Sequence, residues 1–123
     1  MTNRPAKHLA ACDPQTPIKD LIELARDTDS GVRYWATWNP NMPAEALVEL
    51  ANDISPGIRT AVARHPNTPA EALIKLVKDE TLNVVHWVVR NPNCPAVLKL
   101  WLKAGGYAGM TLAEFMAIIQ ETP

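Results

Sequence analysis

The residues able to do chemistry in this chain are few and scattered. His8, His65 and His86 are its three histidines, and they belong to different units. Cys12 and Cys94 do not form a paired ligand motif. As members of helical units about three repeats apart they would lie on the order of 25 to 30 Å from each other, too far to pair within one chain. No serine or cysteine occupies a nucleophile motif, and the glycine-rich stretch AGGYAG at 104–109 lacks the strand and helix that a phosphate loop needs. These residues predict no catalysis, no metal and no cofactor. What the spacing does offer is recognition. Tyr34 and Trp38, Thr60 and Arg64, and His86 and Arg90 form i, i+4 pairs that recur every 26 residues, with Arg33 and Arg59 in a second register. Aromatic residues and arginine are the types enriched at binding hot spots.

These residues are positioned by a repeat. Pro14, Pro40, Pro66 and Pro92 are spaced by 26, as are Pro17, Pro43, Pro69 and Pro95. The strings between them read DPQTP, NPNMP, HPNTP and NPNCP, and paired prolines exclude the interior of a helix. An apolar block follows each corner: Leu21, Leu47 and Leu73; Ile22, Val48, Ile74 and Leu100; Leu24, Leu50, Leu76 and Leu102. This block predicts a helix A. Thr68-Pro69-Ala70-Glu71 reads as its capping box, and Lys19, Glu23, Arg26 and Glu45, Glu49, Asn52 form its solvated stripe. A second and shorter segment, SGVRYWATWN, SPGIRTAVARH and TLNVVHWVVRN, predicts a helix B, partly 3₁₀, with Ser55 capping the middle copy. Its inward positions by helical spacing are Val32, Trp35, Ala36; Ile58, Ala61, Val62; and Val84, Trp87, Val88.

Helices this short cannot bury their apolar faces alone, so the repeats must stack. The expected fold is therefore an all-α solenoid of two-helix, 26-residue repeats forming one domain. Residues 5–12 supply an N-terminal half repeat, 13–103 the repeats and 104–123 a C-terminal capping segment. In that last segment Thr111-Leu112-Ala113-Glu114 opens a final helix.

The phrase LxxLAxD, followed by a hydrophobic-arginine pair and VAR(H/N)PNTPAE, resembles the leucine-rich repeat variant family, a relative of the armadillo and HEAT solenoids. Leu47 through Asp53 and Ile58-Arg59 through Glu71 carry the likeness most fully, and it extends over about residues 13–103. The resemblance implies a right-handed superhelix of alternating α and short, sometimes 3₁₀, helices. It implies no single activity. The pattern breaks at Val85, where the arginine is lost, and after Pro95, which points to distortion in the final repeat.

Two further registers predict structural roles. Asp27, Asp53 and Asp79 precede Arg33, Arg59 and Val85 by six residues and should tie the loops of neighbouring units together. Asn41, Asn67 and Asn93 should satisfy backbone groups around the prolines. The B segments 31–39, 57–65 and 83–91 total +4, whereas the A segments total −6, within a chain whose formal charge is −1. One wall is thus basic and aromatic. It is either a binding surface comprising Arg33, Tyr34, Trp38, Arg59, Arg64, His86 and Arg90, or a face on which Trp38 packs beneath the N-terminal cap and the arginines are merely solvated.

The near-neutral balance gives no bulk attraction for nucleic acid, so phosphate binding through the B wall is a weaker alternative to a protein partner. No apolar run approaches the roughly 20 residues needed to cross a bilayer, and the opening residues lack a secretory pattern. The expectation is a cytoplasmic interaction module, monomeric or weakly dimeric, of unidentified protein partner.

Overall fold

The computed structural model describes residues 4–103 and Glu114. The predicted capping helix after residue 110 lies outside the described residues. Eight helices follow in order: α1 (Arg4–Cys12), α2 (Ile18–Leu24), α3 (Ser30–Thr37), α4 (Ala44–Leu50), α5 (Pro56–Arg64), α6 (Ala70–Leu76), α7 (Leu82–Arg90) and α8 (Ala96–Lys103). No strand occurs among the described residues. The odd-numbered helices are the B elements, with α1 packing on α3, α3 on α5 and α5 on α7; the even-numbered A helices form the second layer. α1 packs on α3 as α5 packs on α7.

The core lies between the layers. Leu21, Leu47 and Leu73 from the A helices meet Val32, Ala36, Ile58, Val62, Val84 and Val88 from the B helices, all fully buried. Met42, at a proline corner, fills the gap between units and is equally buried. Burying each large aliphatic side chain contributes about 1.5–3 kcal/mol, and the residues that flank it come from adjacent repeats. Glu45, Glu49 and Asn52 form an exposed stripe, as helical periodicity requires. Gly31 permits close approach of α1 to α3, since a Cβ there would stand 3.2 Å from His8 Nε2.

The helix boundaries differ from expectation in three ways. The A helices α2, α4 and α6 span seven residues each, shorter than the eight or nine of α3, α5 and α7, and the B elements are α-helical throughout. Each A helix ends early because its last residues turn tighter: Asn52 and Asp53 donate to the carbonyls of Glu49 and Leu50, three residues back. That turn brings Asp53 out of the helix and into the loop where it is used. Thr68 is not the cap of α6. Pro69 holds that position without a side-chain bond, and Thr68 instead donates its hydroxyl to the carbonyl of Val62 at 2.6 Å, closing the end of α5. Ser55 likewise makes no side-chain cap, although Pro56 does stand in the first turn of α5. Its own N–H is taken by Asp53 Oδ1 at 3.0 Å.

Two ladders join the repeats. At the proline corners, Asn39 Nδ2 donates to the carbonyls of Ala11 and Asp13, and Asn91 Nδ2 to those of Ala63 and His65. His65 replaces asparagine in the middle copy. Its Nδ1 accepts the Asn67 N–H at 3.0 Å, which leaves Nε2 to carry the proton and donate to the Asn39 carbonyl at 2.8 Å. Asn41, Asn67 and Asn93 form the outer rail, donating to the carbonyls of Pro14, Pro40 and Pro66. Their expected backbone role is therefore met, with partners in the preceding repeat.

The second ladder runs along the loops from A to B. Arg33 Nε donates to Asp53 Oδ2 at 2.8 Å, and Arg59 Nε to Asp79 Oδ2 at 2.6 Å. Both arginines also reach back to a backbone carbonyl of their own repeat, Asp27 or Asp53. Lys7 occupies the same register one unit earlier and pairs with Asp27 at 2.9 Å. Each arginine binds the aspartate twenty residues ahead. The residue twenty positions beyond Val85 is Gly105, so an arginine at 85 would find no carboxylate in that register.

Burial pushes the Asp79 carboxyl up, but hydrogen bonds from Arg59 and from Thr81 outweigh it and hold the group below the ordinary aspartate range. Asp27 is lowered by the Asp29 N–H and by Lys7. Lowered carboxylates in the folded state mean that the unfolded chain takes up protons first. Their stabilisation is present above the ordinary aspartate value of about 3.9 and is lost as pH falls through the folded values. Acid titration of the unfolding midpoint should show this loss, and Asp79→Asn should lower stability at neutral pH while flattening the acid slope. The corner ladder predicts a separate contrast. Asn91→Ala should cost about 1–3 kcal/mol because it strands two buried carbonyls, while His65→Asn should stay within about 1 kcal/mol of the parent in urea unfolding.

Candidate interaction surface

α1, α3, α5 and α7 contain no aspartate or glutamate. Three of their registers are His8, Tyr34, Thr60 and His86; Leu9, Trp35, Ala61 and Trp87; and Cys12, Trp38, Arg64 and Arg90. From these the fold builds one connected strip. The guanidinium carbon of Arg64 stands 4.8 Å from the centre of the Trp38 ring and 4.2 Å from that of Trp87. Because α5 lies between α3 and α7, this places Arg64 between two indoles from the neighbouring repeats. Tyr34 meets Trp35 and Trp38 edge-on, at 5.3 and 6.1 Å between centroids. At the other end His86 meets Trp87 edge-on at 5.1 Å, and Arg90 Nη1 lies 3.2 Å from both His86 Nδ1 and the His86 carbonyl.

Ala61 explains how the strip closes. It shares a register with Trp35 and Trp87 yet is buried, because its small side chain leaves room for Arg64 to lie along the surface. Trp35 was expected to point inward with Val32 and Ala36. It is instead 42% exposed, since the space between the layers is already filled by those two residues and an indole would overpack it. Trp87, also expected inward, is half-buried at the edge of the core and offers a ring face to Arg64. Trp38 is 36% exposed, so it is not enclosed beneath α1. Trp35 is the strip residue that periodicity alone assigned to the wrong side, whereas Trp87 keeps its inward contact with the core while lending a ring to Arg64. The signal for Trp35 was that tryptophan is too large for a register also filled by Ala61.

The seven residues singled out from sequence are thereby divided. Tyr34, Trp38, Arg64, His86 and Arg90 are brought together. Arg33 and Arg59 are drawn into the loop ladder, where their side chains are only 15% and 16% exposed and bound to Asp53 and Asp79. Of the four basic residues counted on this wall, Arg64 and Arg90 have no carboxylate partner among the described residues.

On the A side the charges are partly compensated, with Arg26 and Glu49 paired at 2.9 Å on the exposed surface. An open cleft of about 410 Å³ lies between the second and third A-to-B loops, lined by Asn52, Asp53, Ile54, Arg59, Lys75 and Lys78 among others. Its Asp53 and Arg59 belong to the ladder. No cluster of three or more histidine, cysteine or acidic side chains able to hold a metal occurs among the described residues. No described helix is long and apolar enough to cross a membrane. Cys94 is buried, and that burial raises its thiol above the ordinary range, while Cys12 is exposed.

A stacked guanidinium of this kind contributes about 0.5–2 kcal/mol. Arg64→Gln should therefore leave the fold intact, lower its stability by no more than about 2 kcal/mol, and shift the tryptophan emission, since two indoles lose their stacked cation. An emission spectrum identical to that of the parent would show that the stack is not populated in solution.

Comparison with curated proteins and with solved structures gives no match. Repeats of the kind the sequence suggested are helical modules generally involved in protein interaction, and residues 56–80, comprising α5 and α6, match the family model described as leucine rich repeat variant.

Proposed function

We propose that this protein is a non-catalytic interaction module that binds a partner protein along the strip formed by Tyr34, Trp35, Trp38, Arg64, Trp87, His86 and Arg90. The observation that carries this reading is Arg64 held between Trp38 and Trp87 with no carboxylate partner among the described residues, beside exposed indole surface. Large rigid rings and arginine together supply most of the binding energy at typical protein interfaces. The strip extends over three successive repeats, which suits an extended segment rather than a small molecule. The B helices also pack on one another more extensively than the A helices do, which supports the B face as the inner side of the stack.

Nucleic acid is the weaker reading. Two of the four arginines on the wall are committed to ion pairs, and each remaining phosphate contact contributes only modestly against a chain of formal charge −1. A mobility-shift titration at low salt should show no binding to single- or double-stranded probes.

The test of the main reading is copurification from the native cell with mass spectrometry. The partner recovered by the parent protein should be lost with Arg64→Glu combined with Arg90→Glu. It should be retained with Glu45→Lys on the opposite layer. A partner list unaffected by the arginine changes would remove the B face from consideration.

A further inference from the structure

Resting on that reading, we infer that Arg64 is a preorganised carboxylate receptor, and that the segment docking on the B face carries an acidic side chain seated on it. The Arg64 guanidinium carbon lies over the rings of both Trp38 and Trp87, which come from the repeats on either side. The guanidinium edge, with its fork of N–H donors, matches a carboxylate in two-point geometry. Stacking fixes the long arginine side chain before the partner arrives, so less rotamer freedom is lost on binding. Arg64 is exposed and so open to an incoming segment, whose docking against the indoles would exclude water and strengthen the electrostatic attraction at the fork.

The surroundings select the same chemistry. With no acidic residue on any of the four B helices, nothing on these elements competes for the fork or repels an incoming carboxylate. Arg90, one repeat on in the same register, has its Nη1 turned to His86 and adds a second positive charge about one helix spacing, roughly 8–10 Å, farther along the stack. Trp35 and Trp38 lie on the other side of Arg64 and offer exposed ring surface for an aliphatic or aromatic neighbour. The matching segment is an extended peptide with an apolar residue followed or preceded by an acidic one, and a second acidic residue farther along. A basic segment is excluded by Arg64 and Arg90, and a wholly apolar one would leave the fork buried without a partner.

The inference is tested by selecting a displayed library of random twelve-residue peptides on the immobilised full chain, then measuring synthetic copies of the enriched peptides by fluorescence anisotropy. The expected result is an excess of aspartate and glutamate beside apolar residues. Affinity should fall at least tenfold when the acidic residue of a selected peptide is changed to its amide, and should weaken with added salt. Arg64→Gln, with its fold verified by circular dichroism, should lose the same factor, and Arg64→Lys should not restore it, because an ammonium lacks the fork. Peptides enriched without acidic bias, or bound equally after amide replacement, would overturn the carboxylate receptor and leave the interaction module standing. No enrichment above an empty support would overturn both. The amide replacement is made in the peptide, so it decides the matter even if an Arg64 variant misfolds.

Discussion

The constraint from which the rest of the structure follows is the need of backbone carbonyls at the proline corners for hydrogen-bond donors. Proline supplies no N–H, and a corner buried between helical pairs has little access to water. Asn39, His65 and Asn91 meet this need from the next repeat, each turning back on its own chain as well by accepting an N–H two residues on. One side chain thus shapes the corner and joins it to its neighbour. An unsatisfied buried carbonyl costs about 1–3 kcal/mol, so the distance between repeats is fixed as narrowly as a hydrogen bond allows.

The loop ladder applies the same economy to the opposite corner of the unit. Asp53 accepts the Ser55 N–H, which shapes the entry to α5, and pairs with Arg33 from the preceding repeat, while Arg59 reaches back to its carbonyl. The arginines gain directionality from the fork and are mostly shielded from solvent, so their contribution exceeds that of a surface pair such as Arg26 and Glu49. Desolvation limits that contribution, and the larger effect is on register. A slip of one residue would separate every rung at once.

Period and residue type made the stacking legible from sequence, together with the roles of Asn41, Asn67, Asn93 and the aspartates. The rest depended on competition between equivalent partners. Thr68 has the composition of a cap for α6, but the Val62 carbonyl at the end of α5 is presented to it by the fold, and local spacing gives no hint of that carbonyl. Trp35 follows the inward period, yet inward volume is a property of two layers together, and Val32 and Ala36 already fill it. Charge counts had a similar blindness. Arg33 and Arg59 add to the wall's total exactly as Arg64 and Arg90 do on paper, and only the positions of Asp53 and Asp79 separate the neutralised from the free.

That separation says where variation is tolerated. In the register of Arg33 and Arg59, the residue must match an aspartate twenty positions ahead, and where that aspartate is missing valine stands instead. In the register of Cys12, Trp38, Arg64 and Arg90, four different demands are met by three residue types, and no rung of either ladder passes through it. Side chains freed from holding repeats together can be shaped by something outside the stack. Arg64 is the point where that freedom has been used: a charged group, on a surface built without acidic residues, kept in one orientation by rings from the units on either side. Stacking alone would have been served as well by an apolar side chain, with no charge left to satisfy. An exposed arginine stacked against indoles is a group prepared for an oxygen acid that the B helices themselves do not contain.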